Sequence, residues 1–197
     1  MRTLPLFAAP LLAATLLLAG CSSTEPAPSE AMISERTDAM PAEANDTDVH
    51  FLGMMVPHHQ QAIDMADVLL ASDVTDPGVR DLAQRIRDGQ QRENDQMNAL
   101  ADQWRIDADM DLHSHHIANG MVSPGVFDTY AALEGEELRT RFLELMHFHH
   151  AEVIAMTRDQ VDNGGYAPLR DMAAEMIDVQ TAEMAEMEQM YGGVPTP

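Results

Sequence analysis

The sequence predicts an all-α protein, an antiparallel four-helix bundle made of two duplicated helical hairpins. A segment at 51–59, FLGMMVPHH, recurs 91 residues later as FLELMHFHH at 142–150, which indicates an internal duplication. In each copy, apolar residues recur with the three-and-four spacing of one helix face on both sides of a turn signal. Aromatic residues make up only 5% of the chain, which argues against a β-sandwich or a barrel.

The chain is strongly acidic and rich in methionine. Its 197 residues include 33 acidic residues against 11 arginines and no lysine, for a formal charge of −22. This charge excludes nucleic acid as a partner and makes anionic lipid headgroups poor ones. An apolar fraction of 45% is sufficient for the core of one ordinary domain. With 16 methionines and 9 histidines, side chains that can bind metal ions are over-supplied relative to aromatic ones.

The first residues are predicted to form a secretory signal peptide followed by a flexible tether. Residues 1–20 have the basic start, apolar centre and small-residue end of a secretory signal. The ending Leu-Ala-Gly-Cys at 18–21 resembles a bacterial lipobox, which implies cleavage before Cys21 and lipidation of its sulfur. We therefore expect an extracytoplasmic protein that is lipid-anchored to a bacterial membrane, in the periplasm or at the outer face of the cell membrane. A secreted protein with a free thiol is the alternative, and residues 21–45 have the composition of a flexible tether.

The first hairpin is predicted over residues 48–104, within a bundle that spans 46–191 and leaves a tail at 192–197. Asp76-Pro77-Gly78 breaks the helical pattern and separates the two helices. Pro57 lies inside the first helix, where it removes a hydrogen bond and favours a kink before His58. The predicted interior stripes are Phe51, Met55, His58, Ala62, Met65 and Leu69, and then Leu82, Ile86, Gly89, Glu93, Met97, Leu100 and Trp104.

The second hairpin, predicted over residues 139–191, repeats this arrangement. Its turn signal is Asn163-Gly164-Gly165. Short connections within each hairpin favour antiparallel neighbours, so the four helices should pack as one bundle. The predicted interior stripes are Phe142, Met146, His149, Val153 and Met156, and then Met172, Met176, Val179, Glu183, Met187 and Met190.

The linker at 105–122 joins the hairpins without a regular period, and a short helix is predicted to begin at Ser123-Pro124. A loop with several imidazoles and thioethers can wrap an ion without a preformed cavity, so the linker is a second candidate metal site. A solvated polar loop accounts for its composition nearly as well. The candidate ligands are Met110, His113, His115, His116 and Met121.

Polar residues on the interior stripes are the strongest functional signal. His58 and His149 lie on one stripe of each copy, and Glu93 and Glu183 lie on the facing stripe of the partner helix. A buried carboxylate without a partner is costly, so these groups must satisfy one another or bind something. One interpretation is a hydrogen-bonded layer that sets helix register. Recurrence in both copies, with methionine beside the histidine each time, favours metal ligation.

The methionines indicate which metal ion the site would bind. A thioether is a soft, neutral ligand that suits Cu(I), and imidazole suits copper in either oxidation state. Met55 precedes His58 by one turn, Met65 follows it by two, and the second copy repeats this spacing around His149. About half of the methionines are expected to be flexible core residues instead, which applies especially to three of the second copy. These three are Met172, Met176 and Met190.

Taken together, the duplicated Met-x-x-His-His-x5-Met pattern, the Phe-Leu-x-x-Met lead-in, the Gln-x-x-Glu-x-x-x-Met pattern and the lipobox resemble the domain of unknown function 305 family. The resemblance covers residues 48–191 and implies a ferritin-like four-helix bundle in a bacterial secreted or lipid-anchored protein. It also implies extracytoplasmic copper binding or copper tolerance. Pro57 has no counterpart at Phe148, so the two halves differ at the residue before the histidine pair. The implied ligands are Met55, His58, His59, Met65, Glu93 and Met97, and Met146, His149, His150, Met156, Glu183 and Met187.

Three functions remain open on the sequence. The favoured one is a non-enzymatic copper-binding protein that buffers Cu(I), confers tolerance or hands the ion to a copper-transfer partner protein, with iron and zinc as less favoured metals. A ferritin-like di-iron oxidase would need four carboxylates and two Glu-x-x-His motifs, and only Glu144-x-x-His147 fits. The third is an interaction module whose His and Glu layers are structural. The oligomeric state is left open.

Overall fold

A computed structural model of the protein describes residues 39–106 and 120–197. These residues form five α-helices and no strand, which confirms the predicted all-helical bundle of two hairpins. The helices of the described part are α1 (Asp46–Ala71), α2 (Pro77–Trp104), α3 (Pro124–Ala131), α4 (Gly135–Asn163) and α5 (Ala167–Tyr191). None of them combines the length and hydropathy that a membrane span requires. The predicted leader with Cys21 lies outside the described residues.

Side-chain caps set where the first three helices begin. The Asn45 side chain accepts hydrogen bonds from the first turn of α1 while Asp48 accepts one from the Asn45 backbone, which forms a capping box. Asp76 caps α2, with Pro77 in the first turn. Ser123 caps α3 ahead of Pro124, so the predicted start of this short helix is confirmed.

The hairpins meet through their first helices. The α1 and α2 helices pack along each other, α4 and α5 do the same, and α1 packs against α4. By contrast, α2 and α5 make only sparse contact. The assembly is therefore a central α1–α4 pair flanked by α2 and α5, with a cleft between the two flanking helices.

Two apolar clusters fill the ends of this bundle. One lies around Leu69, Leu82 and Phe142, and the other around Phe51 and Trp104. Met40 and Ala44 of the predicted tether pack against the second cluster, so the packed part of the chain begins before Asp46. The four histidines of the duplicated motif lie midway along α1 and α4, between the clusters. These histidines are His58, His59, His149 and His150.

The predicted interior stripe is confirmed for α1, and in the flanking helices it is confirmed at most positions and displaced by one residue at a few. In α2 the buried residue is Gln90, at 4% exposure, and not Gly89. In α5 the prediction for Val179 is wrong, because this side chain is 45% exposed while Gln180 is 3% exposed. Neighbouring residues on a helix point about 100° apart, so a small rotation of the helix exchanges them at the core boundary.

Candidate metal centre

The centre of the bundle is a pair of stacked imidazole rings. The ring centroids of His58 and His149 are 3.6 Å apart, and the ring planes are inclined by 31°. His58 is 1% exposed and His149 is fully buried. They are equivalent residues of the two repeats, and each stands at the middle of its helix, so the pair lies where α1 crosses α4.

The second histidine of each pair turns outward to a glutamate of the flanking helix. The distance from His59 Nε2 to Glu93 Oε2 is 2.8 Å, and His150 Nε2 lies at the same distance from Glu183 Oε2. Both rings are fully buried, and the Glu93 and Glu183 side chains are 23% and 8% exposed. The two glutamates therefore satisfy one ring nitrogen of His59 and one of His150.

These hydrogen bonds select the tautomer of each outer ring. An ionised carboxylate only accepts, so the neutral imidazole carries its proton on Nε2 and has its lone pair on Nδ1. The Nδ1 atoms of His59 and His150 are buried and have no hydrogen-bond partner among the described residues. Carboxylate–histidine pairs of this kind orient metal-ligating imidazoles in proteins. Each of these Nδ1 atoms is therefore an available donor for a metal ion.

Burial also determines the charge state of His149 in the central pair. It lowers the pKa of His149 well below 6.5, and any charge on His58, His150 or His59 lowers this pKa further. Neither ring nitrogen of His149 forms a hydrogen bond of normal geometry with the described residues. At neutral pH this imidazole is therefore uncharged and retains an available lone pair.

The predicted methionine ligands divide between the two apolar clusters, and each cluster contains methionines from both repeats. Each cluster combines methionines from α1, α4 and one flanking helix, since α1 and α4 run antiparallel. Met156 is partly buried, and the other five are buried. One cluster contains Met55, Met97 and Met156, and the other contains Met65, Met146 and Met187.

Other candidate residues are not brought to this centre. Met110, His113, His115 and His116 lie outside the described residues. Met121 lines a separate cavity beside α3. Within residues 39–106 and 120–197, no three His, Cys, Asp or Glu side chains are grouped closely enough to hold a metal ion together.

The one Glu-x-x-His motif contacts α5 instead of the centre. His147 Nε2 lies 3.2 Å from Glu188 Oε1, and the Glu144 carboxylate accepts a hydrogen bond from the Tyr191 hydroxyl at 3.0 Å. Arg141 also donates to Glu144. Both residues of the motif are therefore engaged by surface partners.

Two glutamines at the centre were not among the predicted site residues. Gln90 and Gln180 are buried and line the cavity between α2 and α5, together with Glu93 and Glu183. They occupy matching positions of the repeat, three residues before the glutamates. This recurrence is the sequence feature that could have identified them as site residues. Asn94 is also buried, and it donates to the Val56 carbonyl at 3.1 Å.

Comparison with known proteins identifies one family. The sequence profile of a domain of unknown function, DUF305, matches residues 48–191. No curated protein is significantly similar to this chain. A DUF305 protein of Streptomyces coelicolor is 24% identical with a TM-score of 0.68, over 80% of this chain and 99% of its own. A DUF305 fragment of Deinococcus radiodurans is 28% identical with a TM-score of 0.67, over 76% and 97%.

A third similar structure is that of a protein called CopM. In its Cu(II)-bound form CopM is 27% identical with a TM-score of 0.63, over 74% of this chain and 95% of its own. CopM is also known in a Cu(I)-bound form and an Ag-bound form. Copper and silver binding are properties of that protein.

Proposed function

The chain belongs to the DUF305 family, and on this premise we propose that it is an extracytoplasmic, lipid-anchored protein that binds copper, chiefly Cu(I). Its role is to buffer copper, to confer tolerance or to pass the ion to a partner protein. It is not an enzyme in this proposal. The metal is cargo, and the bundle is its carrier.

The observation that carries the proposal is the layer of buried imidazoles with available nitrogens. Burying four histidine rings is unfavourable unless their polar atoms are satisfied, and three of these rings keep unpaired nitrogens among the described residues. Sulfur ligands are available beside them in both clusters. Imidazole with thioether is a donor set that suits Cu(I), and similarity to copper-bound CopM supports the same metal.

The geometry favours two equivalent half-sites. Imidazole lone pairs lie in the plane of the ring, so an ion binds at a ring edge and not between the stacked faces. Met55 precedes His59 by four residues on α1, and Met97 follows Glu93 by four on α2. The second half repeats these relations around His150. We assign the half-sites to Met55, His59 and Met97, and to Met146, His150 and Met187. His58 and His149 lie between the half-sites. Met65 and Met156 are further candidate ligands that we assign to neither half-site.

The location of the protein follows from the leader and suits this chemistry. Lipidation at Cys21 would consume the only thiol of the chain, which leaves methionine and histidine as the durable copper ligands outside the cell. The acidic surface would attract cations of any kind without selecting among them. Selectivity must therefore come from the buried donors.

Anaerobic titration with Cu(I) against a chromophoric chelator tests the proposal, using the chain from residue 22 so that the thiol is absent. We expect tight Cu(I) binding, with Fe(II) and Zn(II) bound more weakly. The double variant His59→Leu/His150→Leu should lose the tight site and keep its helix content, since both positions are fully buried and leucine is apolar. If the protein takes none of these metals from the chelator, the histidine layer serves helix register and the proposal fails.

A further inference from the structure

The cleft between α2 and α5 is a polar opening beside the histidine layer. It holds a cavity of about 370 Å³, and a second cavity of about 560 Å³ continues along the same two helices. The two share Gly89, Arg92, Glu93 and Val179 as walls, so they are adjacent. Gly89 and the exposed Val179 occupy matching positions of the two repeats, and both line this opening.

Buried amides with unsatisfied atoms line this cleft. Gln90 is 4% exposed and neither of its amide atoms has a hydrogen-bond partner within the described part of the chain. Gln180 is 3% exposed, and its Oε1 is likewise unpaired there. An unpaired buried amide costs free energy, so its retention at matching positions of both repeats indicates a polar occupant.

The two glutamates connect the cleft with the interior. Glu93 and Glu183 both line the cavity, and each places one carboxylate oxygen 2.8 Å from a buried histidine. An ion that binds to one of these carboxylates on the cleft side is therefore separated from His59 or His150 only by that carboxylate. A further cavity of about 420 Å³ lies beside α3, and it is lined by Pro57 and Met121 and by neither of these glutamates.

We propose that this cleft is the path by which copper enters and leaves the bundle, with Gln90 and Gln180 replacing the water that the ion sheds and Glu93 and Glu183 passing it to the histidines. The inference rests on the proposed function. Oxygen donors hold Cu(I) weakly, whereas imidazole and thioether hold it well, so the ion gains affinity as it moves inward. A path of this kind changes rates and leaves the equilibrium affinity unaltered.

Gly89 allows the path to be blocked without disturbing the fold. A Cβ atom at this position would meet only the Arg92 Nη2 atom, at 3.9 Å, and the residue has helical geometry in α2. Gly89→Leu should place a bulky side chain in the cleft, while Gly89→Ala adds only a methyl group. Both substitutions increase helix propensity, so both variants should fold.

The experiment measures release and equilibrium binding separately. Protein from residue 22 onward is loaded anaerobically with Cu(I) and mixed in a stopped-flow instrument with excess bathocuproine disulfonate. We expect Gly89→Leu to slow release and loading by about tenfold or more with an unchanged Kd, and Gly89→Ala to behave as the natural protein. A second pair compares Gln90→Leu/Gln180→Leu, which should slow both steps, with the exposed control Gln91→Leu/Gln189→Leu, which should not.

The outcomes separate this inference from the proposed function. If the natural protein binds no Cu(I), the proposed function fails. If it binds Cu(I) and Gly89→Leu releases it as fast as Gly89→Ala does, the ion uses another path and the inference is overturned. A weakened Kd with an unchanged release rate also contradicts it, because the cleft would then contribute ligands and not a path.

Discussion

The imidazole rings of His58 and His149, equivalent residues of the two repeats, stack with their centroids 3.6 Å apart at the centre of the α1–α4 interface. A charge on His149 would be fully buried and would lie against a second imidazole ring, which is unfavourable. The bundle therefore depends on a neutral His149.

This dependence predicts how stability varies with pH. Because burial lowers the folded-state pKa of His149 below 6.5, the unfolded chain binds a proton below that pH and the folded protein does not. The free energy of unfolding of the metal-free protein should fall below pH 6.5 by up to about 1.4 kcal/mol per pH unit from this group. Urea unfolding at pH 7.5, 6.5 and 5.5 measures it. His149→Leu should flatten the dependence, and identical slopes in both proteins would contradict the assignment.

Methionine replacement should separate ligands from core residues. Leucine conserves the volume of methionine, so Met97→Leu and Met187→Leu should each cost less than about 1.5 kcal/mol of stability. Loss of the sulfur should weaken Cu(I) binding by about tenfold or more, which is about 1.4 kcal/mol. The matched controls are Met172→Leu and Met190→Leu, which should leave the Cu(I) affinity unchanged. Competition titration with a Cu(I) chelator measures all four, and equal losses would show that the sulfurs are packing residues.

The glutamates should act on affinity through the rings that they orient. A glutamine at Glu93 or Glu183 can donate as well as accept, so it no longer restricts the proton of the partner histidine to Nε2. We expect a loss of about 10- to 100-fold in Cu(I) affinity from either substitution. Glu188→Gln is the control, because Glu188 lies 3.2 Å from His147, which is outside the proposed half-sites. Imidazole ¹⁵N shifts should show the Nε2–H tautomer in the natural protein, and an Nδ1–H tautomer would refute the orienting role.

The Asp48 carboxylate should be a main determinant of stability. It is fully buried and accepts from Gln160 Nε2 at 2.6 Å, from the Gly165 amide at 3.0 Å and from the Tyr166 amide at 3.1 Å. Asp48→Asn turns one acceptor into a donor that faces these donors, so we expect a loss of about 3 kcal/mol. Asp46→Asn, in the same turn but exposed, should cost far less. Urea unfolding at pH 7 compares the two, and equal losses would contradict this role.

The two repeats use their hairpin ends differently, although their arginines match. Arg80 donates to the Leu70 carbonyl at 2.8 Å, and Arg170 donates to the Gly164 carbonyl at 2.8 Å, so each closes the turn of its own hairpin. Position 48 holds a carboxylate, whereas the equivalent position 139 holds an arginine that bonds Asp76 at 2.8 Å. The duplication thus conserves the centre of the bundle more closely than its ends.

The sequence by itself determined the class of fold, the repeat and the residue types at the centre, because helical periodicity and duplication are local properties that can be read along the chain. It predicted the buried face of α1 and the start of α3 at Pro124 correctly. It also brought histidine, glutamate and methionine to the same level of the bundle, because each recurs at a matching position in both copies.

Only the tertiary structure decided which atoms meet. Adjacent histidines project about 100° apart, so a rotation of the helix decides that His58 stacks on His149 while His59 reaches Glu93. The same rotation buries Gln180 and exposes Val179. The antiparallel crossing of α1 and α4 brings Met55 into one cluster with Met156 of the other repeat. Periodicity specifies a face of each helix, whereas partners depend on how four helices rotate and cross, and that follows from packing the whole chain.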